Sequence, residues 1–351
     1  MNFASDNIAG ASPQVLQAIV EANEGLQKSY GVDDYTLRAE KKLAEVFETD
    51  IAVFTVATGT AANSLALSAM VPPWGGVVTH PASHISTDEC GAPEFFTSGA
   101  KLMPLQGVGA KPLAKDLAHF FATNSFRPVH QVQPMALSVS QATECGLVYK
   151  ADEIAALAAE AKTHKLLVHM DGARFANALV SQNATPAALT WKAGVDVMSF
   201  GATKNGCLAG EAVIFFNKEL AKNFEYRRKR SGQLLSKGRL FGAQLDAYLR
   251  DGHWLALASH ANAMAKKLSD GLVSAGARLG WATDANQVFP ILPKAMHERM
   301  TAAGAVYYPW PSDGMAEGTV IGPDEILVRM VVPFTTRPAD VDMALAAANP
   351  H

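Results

Sequence analysis

Asp171 and Lys204 each come directly after an apolar, strand-like run. Asp171 closes "KLLVHMD" and opens "DGAR", while Lys204 sits in "DVMSFGATKNG" (Asp196 to Gly206), in a turn of small residues. Lysines ordinarily occupy solvated helix faces. One held at the mouth of a buried strand is partly desolvated, and desolvation beside other cations lowers an amine's pKa and makes it a nucleophile. Upstream, "ATGTAANS" (Ala57 to Ser64) follows the run "IAVFTV" and opens a helical segment. Such a turn offers free backbone N–H groups and a helix dipole to an anion, with Thr58 and Thr60 adding hydroxyls. An ordinary capped turn has the same composition. Open α/β sheets gather ligands at the carboxyl ends of their strands. An anion cradle, a carboxylate and an amine at three such ends suit a ligand with a phosphate, a basic ring nitrogen and an aldehyde.

The elements that must position them alternate along the first two thirds of the chain. Ser12-Pro13 reads as a capped helix start, with the helix continuing through "QVLQAIVEANEGLQ". "TLRAEKKLAEVFE" (Thr36 to Glu48) is a second helix. Strands follow at "IAVFTV", "GVVTH", "KLMPLQ", "PMALSVS", "KLLVHMD", "DVMSF" and "EAVIFFN". Helical segments lie between, near "TDECGAPEFF" and at "LAKDLAHFFA", "ADEIAALAAEAKTH" and "ARFANALV". Nearly continuous apolar strands separated by helices predict a mostly parallel sheet in an α/β fold. After about Leu240 one long helical stretch, "GAQLDAYLRDGHWLALASHANAMAKKLSDGLVSAG", leads into the shorter "QVFPILP" and "EILVRMVVPF". The expectation is a large ligand-binding domain over 1–245 and a smaller α+β domain over 246–351.

The rest of the sequence narrows the chemistry. At 351 residues, 49% hydrophobic and 18% charged, the chain can bury a large core. Its net charge of −3 gives no reason to expect a nucleic-acid partner. The one basic run, "EYRRKRSG", reads as a solvated helix end. Cys90, Cys145 and Cys207 form no CxxC pair, which fits a reducing compartment. With no basic leader and no apolar run of roughly 18 residues, the expectation is a soluble cytoplasmic protein. "GVGAKP" breaks a dinucleotide fingerprint at its third glycine, and neither GxxxxGK[ST] nor GxSxG occurs. His80, His84 and Asp88 are four apart, but Pro81 argues against one helical metal face, so no metal is expected. His164, His253 and His260 read as surface histidines, and Trp74 and Trp191 as packing residues. The cofactor that needs a helix N-terminus, a carboxylate and a Schiff-base lysine together is pyridoxal 5′-phosphate.

With those residues in view, the sequence resembles the threonine aldolase family of fold-type I pyridoxal-phosphate enzymes. The likeness runs through "SDN" (Ser5 to Asn7), "YGVDD" (Tyr30 to Asp34), "TGTAAN" and "SHISTDECGAPE" (Ser83 to Glu94). It continues in "HMDGARFANA", "SFGATKNG" and "VRMVVPF" (Val328 to Phe334). The resemblance implies that Lys204 holds the cofactor covalently, Asp171 pairs with its ring nitrogen, and Gly59 and Thr60, beside Thr58, bind its phosphate. It implies that His84 stacks on the ring with Glu89 nearby. Ser5, Arg174 and Arg329 would hold a substrate carboxylate, His130 would lie near the substrate hydroxyl, and Tyr30 would approach the site, from a neighbouring subunit if not from its own. Gln141 stands where many relatives carry Asn, at a cofactor-contacting position. "KRSGQLLSKGR" replaces a glycine-rich stretch, leaving Lys229 and Arg230 as candidate contacts or plain surface.

The activity implied is retro-aldol cleavage of L-threonine, L-allo-threonine and related β-hydroxy-α-amino acids to glycine and an aldehyde, in a homodimer or homotetramer. His84, His130 or a water between them would serve as base. A β-eliminating lyase or an aminotransferase on the same fold is the alternative.

Overall fold

The computed structural model describes residues 1–316 and 318–349. Seven strands form the large sheet: β1 (Ala52–Val56), β2 (Gly75–Thr79), β3 (Lys101–Pro104), β4 (Gln133–Ser140), β5 (Leu167–Gly172), β6 (Val197–Gly201) and β7 (Glu211–Phe215). Their spatial order is β1-β7-β6-β5-β4-β2-β3. β7 is antiparallel to both of its neighbours, and every other pairing is parallel. The first six strands therefore end on one edge of the sheet, and β7 begins there.

Helices cover both faces, which is why β2, β6 and β7 are buried at every position. Side chains alternate between two cores, as the pleat demands. Met198, Phe200, Ala212 and Ile214 pack in one, with Val15, Leu43 and Leu245. Val197, Val213 and Phe215 pack in the other, with Ala62, Leu65 and Phe224. The helices of this part are α1 (Pro13–Ala22), α2 (Asp34–Val46), α3 (Gly59–Met70), α4 (His84–Thr87), α5 (Ala92–Phe96), α6 (Ala114–Thr123), α7 (Ala151–Thr163), α8 (Phe175–Gln182), α9 (Phe224–Arg230) and α10 (Arg239–Leu249).

The long helical stretch expected after Leu240 is two helices. α10 stops, and α11 (His253–Ser274) starts afresh, because Asp251 (φ 53°) and Gly252 (φ 72°) both turn left-handed. A small antiparallel sheet follows, built from β8 (Arg278–Leu279), β9 (Gln287–Val288), β10 (Pro290–Pro293), β11 (Tyr308–Pro309) and β12 (Glu325–Val331). Helices α12 (Lys294–Ala302) and α13 (Pro338–Ala348) accompany it.

The expected division at 245/246 does not match the packing. It falls inside α10, whose Leu245, Ala247 and Tyr248 belong to the large core, and so do Trp254 and Ala258 of α11. The second core starts further along α11, at Ala265 and Leu268, and takes in Phe3 from the other end of the chain. Phe3 is tied to it by backbone bonds to Val306 and Val331. The last two residues of the expected second domain, 350–351, lie outside the described residues.

One glycine shows how closely the helices approach. A Cβ added at Gly242 of α10 would sit 2.3 Å from the backbone nitrogen of Thr36 in α2 and 2.5 Å from its Cα. Helix propensity alone would favour Gly242→Ala by about 1 kcal/mol. Overpacking against backbone that cannot move aside costs about 1–3 kcal/mol or more, so the net effect should be destabilising. Thermal melts should show a lower Tm for Gly242→Ala than for the wild type. A rise would mean that α2 and α10 are not packed this closely.

Candidate active site

The shared direction of the first six strands collects four segments at one edge of the sheet. After β1, Thr58 caps α3, its Oγ1 accepting the Ala61 N–H at 3.1 Å. Gly59 opens the helix and borders a cavity of about 460 Å³. A Cβ at Gly59 would meet nothing within 4 Å, so the space before the helix N-terminus is open to an anion.

After β2, His84 begins α4, with Nδ1 2.8 Å from the buried Glu89 Oε1. Asn63, one turn into α3, spends both amide hydrogens on carboxylates. It donates to Glu89 Oε1 and to Asp171 Oδ2, each at 2.8 Å. A continuous polar chain thus runs His84–Glu89–Asn63–Asp171. The Glu89 hydrogen bond holds the imidazole pKa above its ordinary value against the opposing effect of burial, and the negative charge of Asp171 adds to the rise.

Asp171 lies at the end of β5, 7% exposed, and its Oδ1 accepts the Ala173 N–H at 3.0 Å. Lys204 follows β6 in a single 3-10 turn. Burial, then the charge of Arg174, push its pKa down, while Asp6, Asp171 and Glu211 oppose. An amine so placed is more often free than an exposed lysine is, and therefore more nucleophilic. Glu211 arrives beside it because β7 runs antiparallel, pairing Glu211 with Gly201.

Two guanidinium groups also line the cavity. Arg174 stands at the N-cap position of α8 rather than in its first turn, and its Nε and Nη2 donate to Asp6 at 2.8 and 2.9 Å. Arg329 comes from β12, with Cζ 4.5 Å over the Trp310 ring. Burial and the charge of Arg174 lower its pKa, and its buried Nε has no hydrogen-bond partner. Among the described residues Arg329 makes no ion pair, so a bound carboxylate would relieve both the desolvation and the repulsion.

Seven expected residues thus meet in one cavity: Ser5, Gly59, His84, Asp171, Arg174, Lys204 and Arg329. Thr58 and Thr60 frame the start of α3 without lining it. Gln141 does not reach the cavity. It is fully buried and its amide is used at both ends by the Tyr149 backbone, at 2.9 and 3.0 Å. His130 is not brought to the cavity of its own chain either. It is exposed in the turn before β4, and the eight residues of β4 separate that turn from the edge where Ser140 ends. Tyr30 is half exposed under the Lys229 amine, 4.9 Å from its ring centroid, and Arg230 is exposed.

Other expectations need correcting. "EYRRKRSG" is not a plain solvated end, because Arg228 is buried and donates to Thr55 Oγ1 at 2.8 Å. His253 and His260 are half-buried and bonded to Ser12 and the Thr336 carbonyl, and His164 stacks on Phe121. Trp74 is 66% exposed rather than packed. The reading from Pro81 needs no such change: α4 spans only His84–Thr87, so His80, His84 and Asp88 share no helix face.

Sequence reading missed Asp6, Asn63, Glu144, Glu211 and Trp310. Asp6 and Asn63 lay inside the quoted "SDN" and "TGTAAN". Glu211 opens the quoted "EAVIFFN", while Glu144 and Trp310 sit in connecting segments with no pattern to mark them.

Comparison with known proteins agrees with this geometry. A family profile described as beta-eliminating lyase matches residues 2–294. The low specificity L-threonine aldolase of Pseudomonas sp. (strain NCIMB 10558) is 42% identical over 315 residues, covering 90% of each chain. The solved structure of Leishmania major threonine aldolase superposes with a TM-score of 0.90 at 29% identity, covering 99% of this chain and 98% of that one. Sphingomonas wittichii serine palmitoyltransferase shares the fold, with a TM-score of 0.70 at 15% identity over 99% of this chain and 86% of its own.

Proposed function

Since the chain belongs to the beta-eliminating lyase family, and within it to the threonine aldolases, we propose that it is a pyridoxal 5′-phosphate enzyme that cleaves L-threonine, L-allo-threonine and related β-hydroxy-α-amino acids to glycine and an aldehyde. The observation that carries this reading is the meeting of Lys204, Asp171, Arg174 and Arg329 around one cavity. The residues suit the cofactor. The front of α3 is open for a phosphate, the Asp171 carboxylate is fixed by two donors to face a ring nitrogen, and the Lys204 amine is desolvated for an aldehyde. When bound, that cofactor supplies an electron sink conjugated to the substrate's Cα.

The chain's own residues do the rest. Arg329, and Arg174 held on Asp6, grip the substrate carboxylate by paired N–H donors and so fix rotation about the bond to Cα. That grip would hold the substrate so that Cα–Cβ, rather than another bond to Cα, is the one presented for cleavage. Asp171, held by Asn63 and Ala173, would keep a proton on a ring nitrogen bound there. His84, its Nδ1 held by Glu89, would offer a polarised imidazole to a ring bound in the cavity. Ser5 supports the carboxylate from the N-terminal segment that Phe3 anchors to the second core.

Tyr30 and His130 lie outside the cavity of their own chain. They would serve a site only across a subunit contact, so a homodimer or homotetramer belongs to the same proposal. So does a cytoplasmic location; among the described residues no helix is long and apolar enough to cross a membrane.

The test is product analysis of the purified holoenzyme with L-threonine, L-allo-threonine and phenylserine. Glycine and the matching aldehyde should appear in equal amounts. Pyruvate with ammonia from serine, or nitrogen transferred to a keto acid, in place of glycine and aldehyde would replace this reading with β-elimination or transamination.

A further inference from the structure

Glu144 is a half-buried acid at the site that nothing above employs. It stands in the segment after β4, and it borders the cavity that holds Lys204, Asp171 and Arg174. Its Oε1 accepts two hydrogen bonds, from the His84 backbone N–H at 3.1 Å and the Ser140 hydroxyl at 2.6 Å. Its Oε2 is buried and, among the described residues, has no partner. A carboxyl left half-satisfied in a folded protein is a standing cost, because the unpaired oxygen has given up water for nothing. Gln141, three residues earlier, shows what a purely structural polar side chain looks like here: both ends of its amide are taken by the Tyr149 backbone. Glu144 is anchored by one oxygen only, at the wall of a ligand cavity.

We propose that Glu144 is the base of the bond-breaking step: Oε2 takes the proton of the substrate's β-hydroxyl, directly or through one water, while Oε1 stays anchored on His84 and Ser140. This rests on the aldolase reading above. The step balances without a further reactant. The O–H bond breaks, its proton goes to Oε2, and its electron pair becomes the second bond of the aldehyde C=O. The Cα–Cβ pair stays with Cα, which later takes a proton to become the methylene of glycine, and Glu144 returns to the carboxylate.

The groups around Glu144 suit that task. His84, itself bonded to Glu89, faces it from the segment after β2, Asp171 from β5, and Cys145 and Tyr149 from its own loop. Burial, reinforced by the negative charge of Asp171, pushes the carboxyl up to about 7, against the opposing hydrogen bond from Ser140. A base with that value accepts a proton readily near neutral pH and gives it back as readily. His84 is worse placed for the same role. Its Nδ1 is occupied by Glu89, and that hydrogen bond raises the imidazole's pKa, which favours the form that already carries the proton over the form that could take one.

The experiment compares two reactions of the same pyridoxal-phosphate holoenzyme. One is cleavage of L-threonine; the other is exchange of glycine's α-proton for deuterium in D2O, followed by NMR. Exchange needs the amine, the electron sink and the carboxylate grip, but involves no β-hydroxyl. Glu144→Gln should lower kcat for cleavage about 100-fold or more while exchange stays within about threefold. In the wild type, kcat/KM for cleavage should fall about tenfold per pH unit below roughly 7, and Glu144→Gln should lack this limb. Glu144→Asp, which keeps the acid one methylene further back, should regain the limb at a reduced rate. Parallel loss of both reactions in Glu144→Gln, with the limb still present in its residual activity, would make Glu144 a support for His84 and overturn the proposal. Cleavage by Glu144→Gln at the wild-type rate would do the same. A wild type that exchanges glycine but releases no aldehyde from any β-hydroxy amino acid points to failure of the aldolase reading itself, and takes the proposal with it.

Discussion

Lys204→Ala should lose threonine cleavage by on the order of 10⁴-fold or more, the scale expected when the nucleophile of a catalytic unit is removed. The size follows from position. Lys204 is the amine at the cavity's centre of charge, with Asp6, Asp171, Arg174 and Glu211 all acting on it. Burial and Arg174 lower its proton affinity, so a larger share of the amine is free than at an exposed lysine. Asp6 and Asp171 limit that fall, which keeps the amine able to take a proton back at the end of the cycle. Two measurements separate loss of chemistry from loss of fold. The wild-type holoenzyme should absorb in the visible range and be bleached irreversibly by borohydride, with the label on the peptide containing residue 204. The alanine variant should bind the cofactor reversibly, leave no label and melt near the wild-type temperature. Borohydride labelling at any other lysine would mean that the site has been placed on the wrong amine.

Strand ends were the most readable part of this site. "KLLVHMD", "DVMSF" and "IAVFTV" are short apolar runs broken by small residues, and in a mostly parallel sheet such breaks fall on one edge. That reasoning brings Asp171, Lys204 and the start of α3 together with no knowledge of contacts. It says nothing of His130, which entered through the family resemblance alone. His130 precedes β4 and Ser140 ends it, so the two stand at opposite edges. The direction of β7 was also open to inference. The connection from Gly201 to Glu211 is shorter than the dozen or so residues that a parallel crossover needs. Antiparallel pairing follows, and with it the arrival of Glu211 next to Lys204.

The supporting carboxylates were the least readable part. Asp6 reaches Arg174 from 168 positions away, and Asn63 reaches Asp171 from 108. No local period encodes such pairs, since only the folded sheet brings the segments together. The break between α10 and α11 was hidden for a different reason. "YLRDGHW" keeps apolar residues at helical spacing on either side of Asp251 and Gly252, so the left-handed pair interrupts the backbone without interrupting the pattern.

Asp171→Asn should leave the cofactor bound and the Lys204 linkage intact, yet reduce kcat by about 10²–10³-fold with little change in KM. The substitution keeps the shape and removes the charge. Asp171 receives N–H donors on both oxygens, from Asn63 and from Ala173. An asparagine can accept from only one of them. Its amide must then confront the other donor, leaving a buried hydrogen bond unmade at a cost of about 1–3 kcal/mol. That cost falls on stability. The rate falls for another reason, because a neutral amide cannot hold a proton on the ring nitrogen, and without that proton the negative charge developing at Cα has no stabilised destination. The polar chain gives a second signal that a purely local defect would not. The charge of Asp171 helps to raise the pKa of His84, so removing it should move the His84 imidazole titration to lower pH by NMR. Glycine α-proton exchange should fall along with cleavage in this variant, in contrast to Glu144→Gln, because Asp171 serves the electron sink that both reactions share. If Asp171→Asn cleaves threonine within about threefold of the wild type, the ring nitrogen is not held by Asp171.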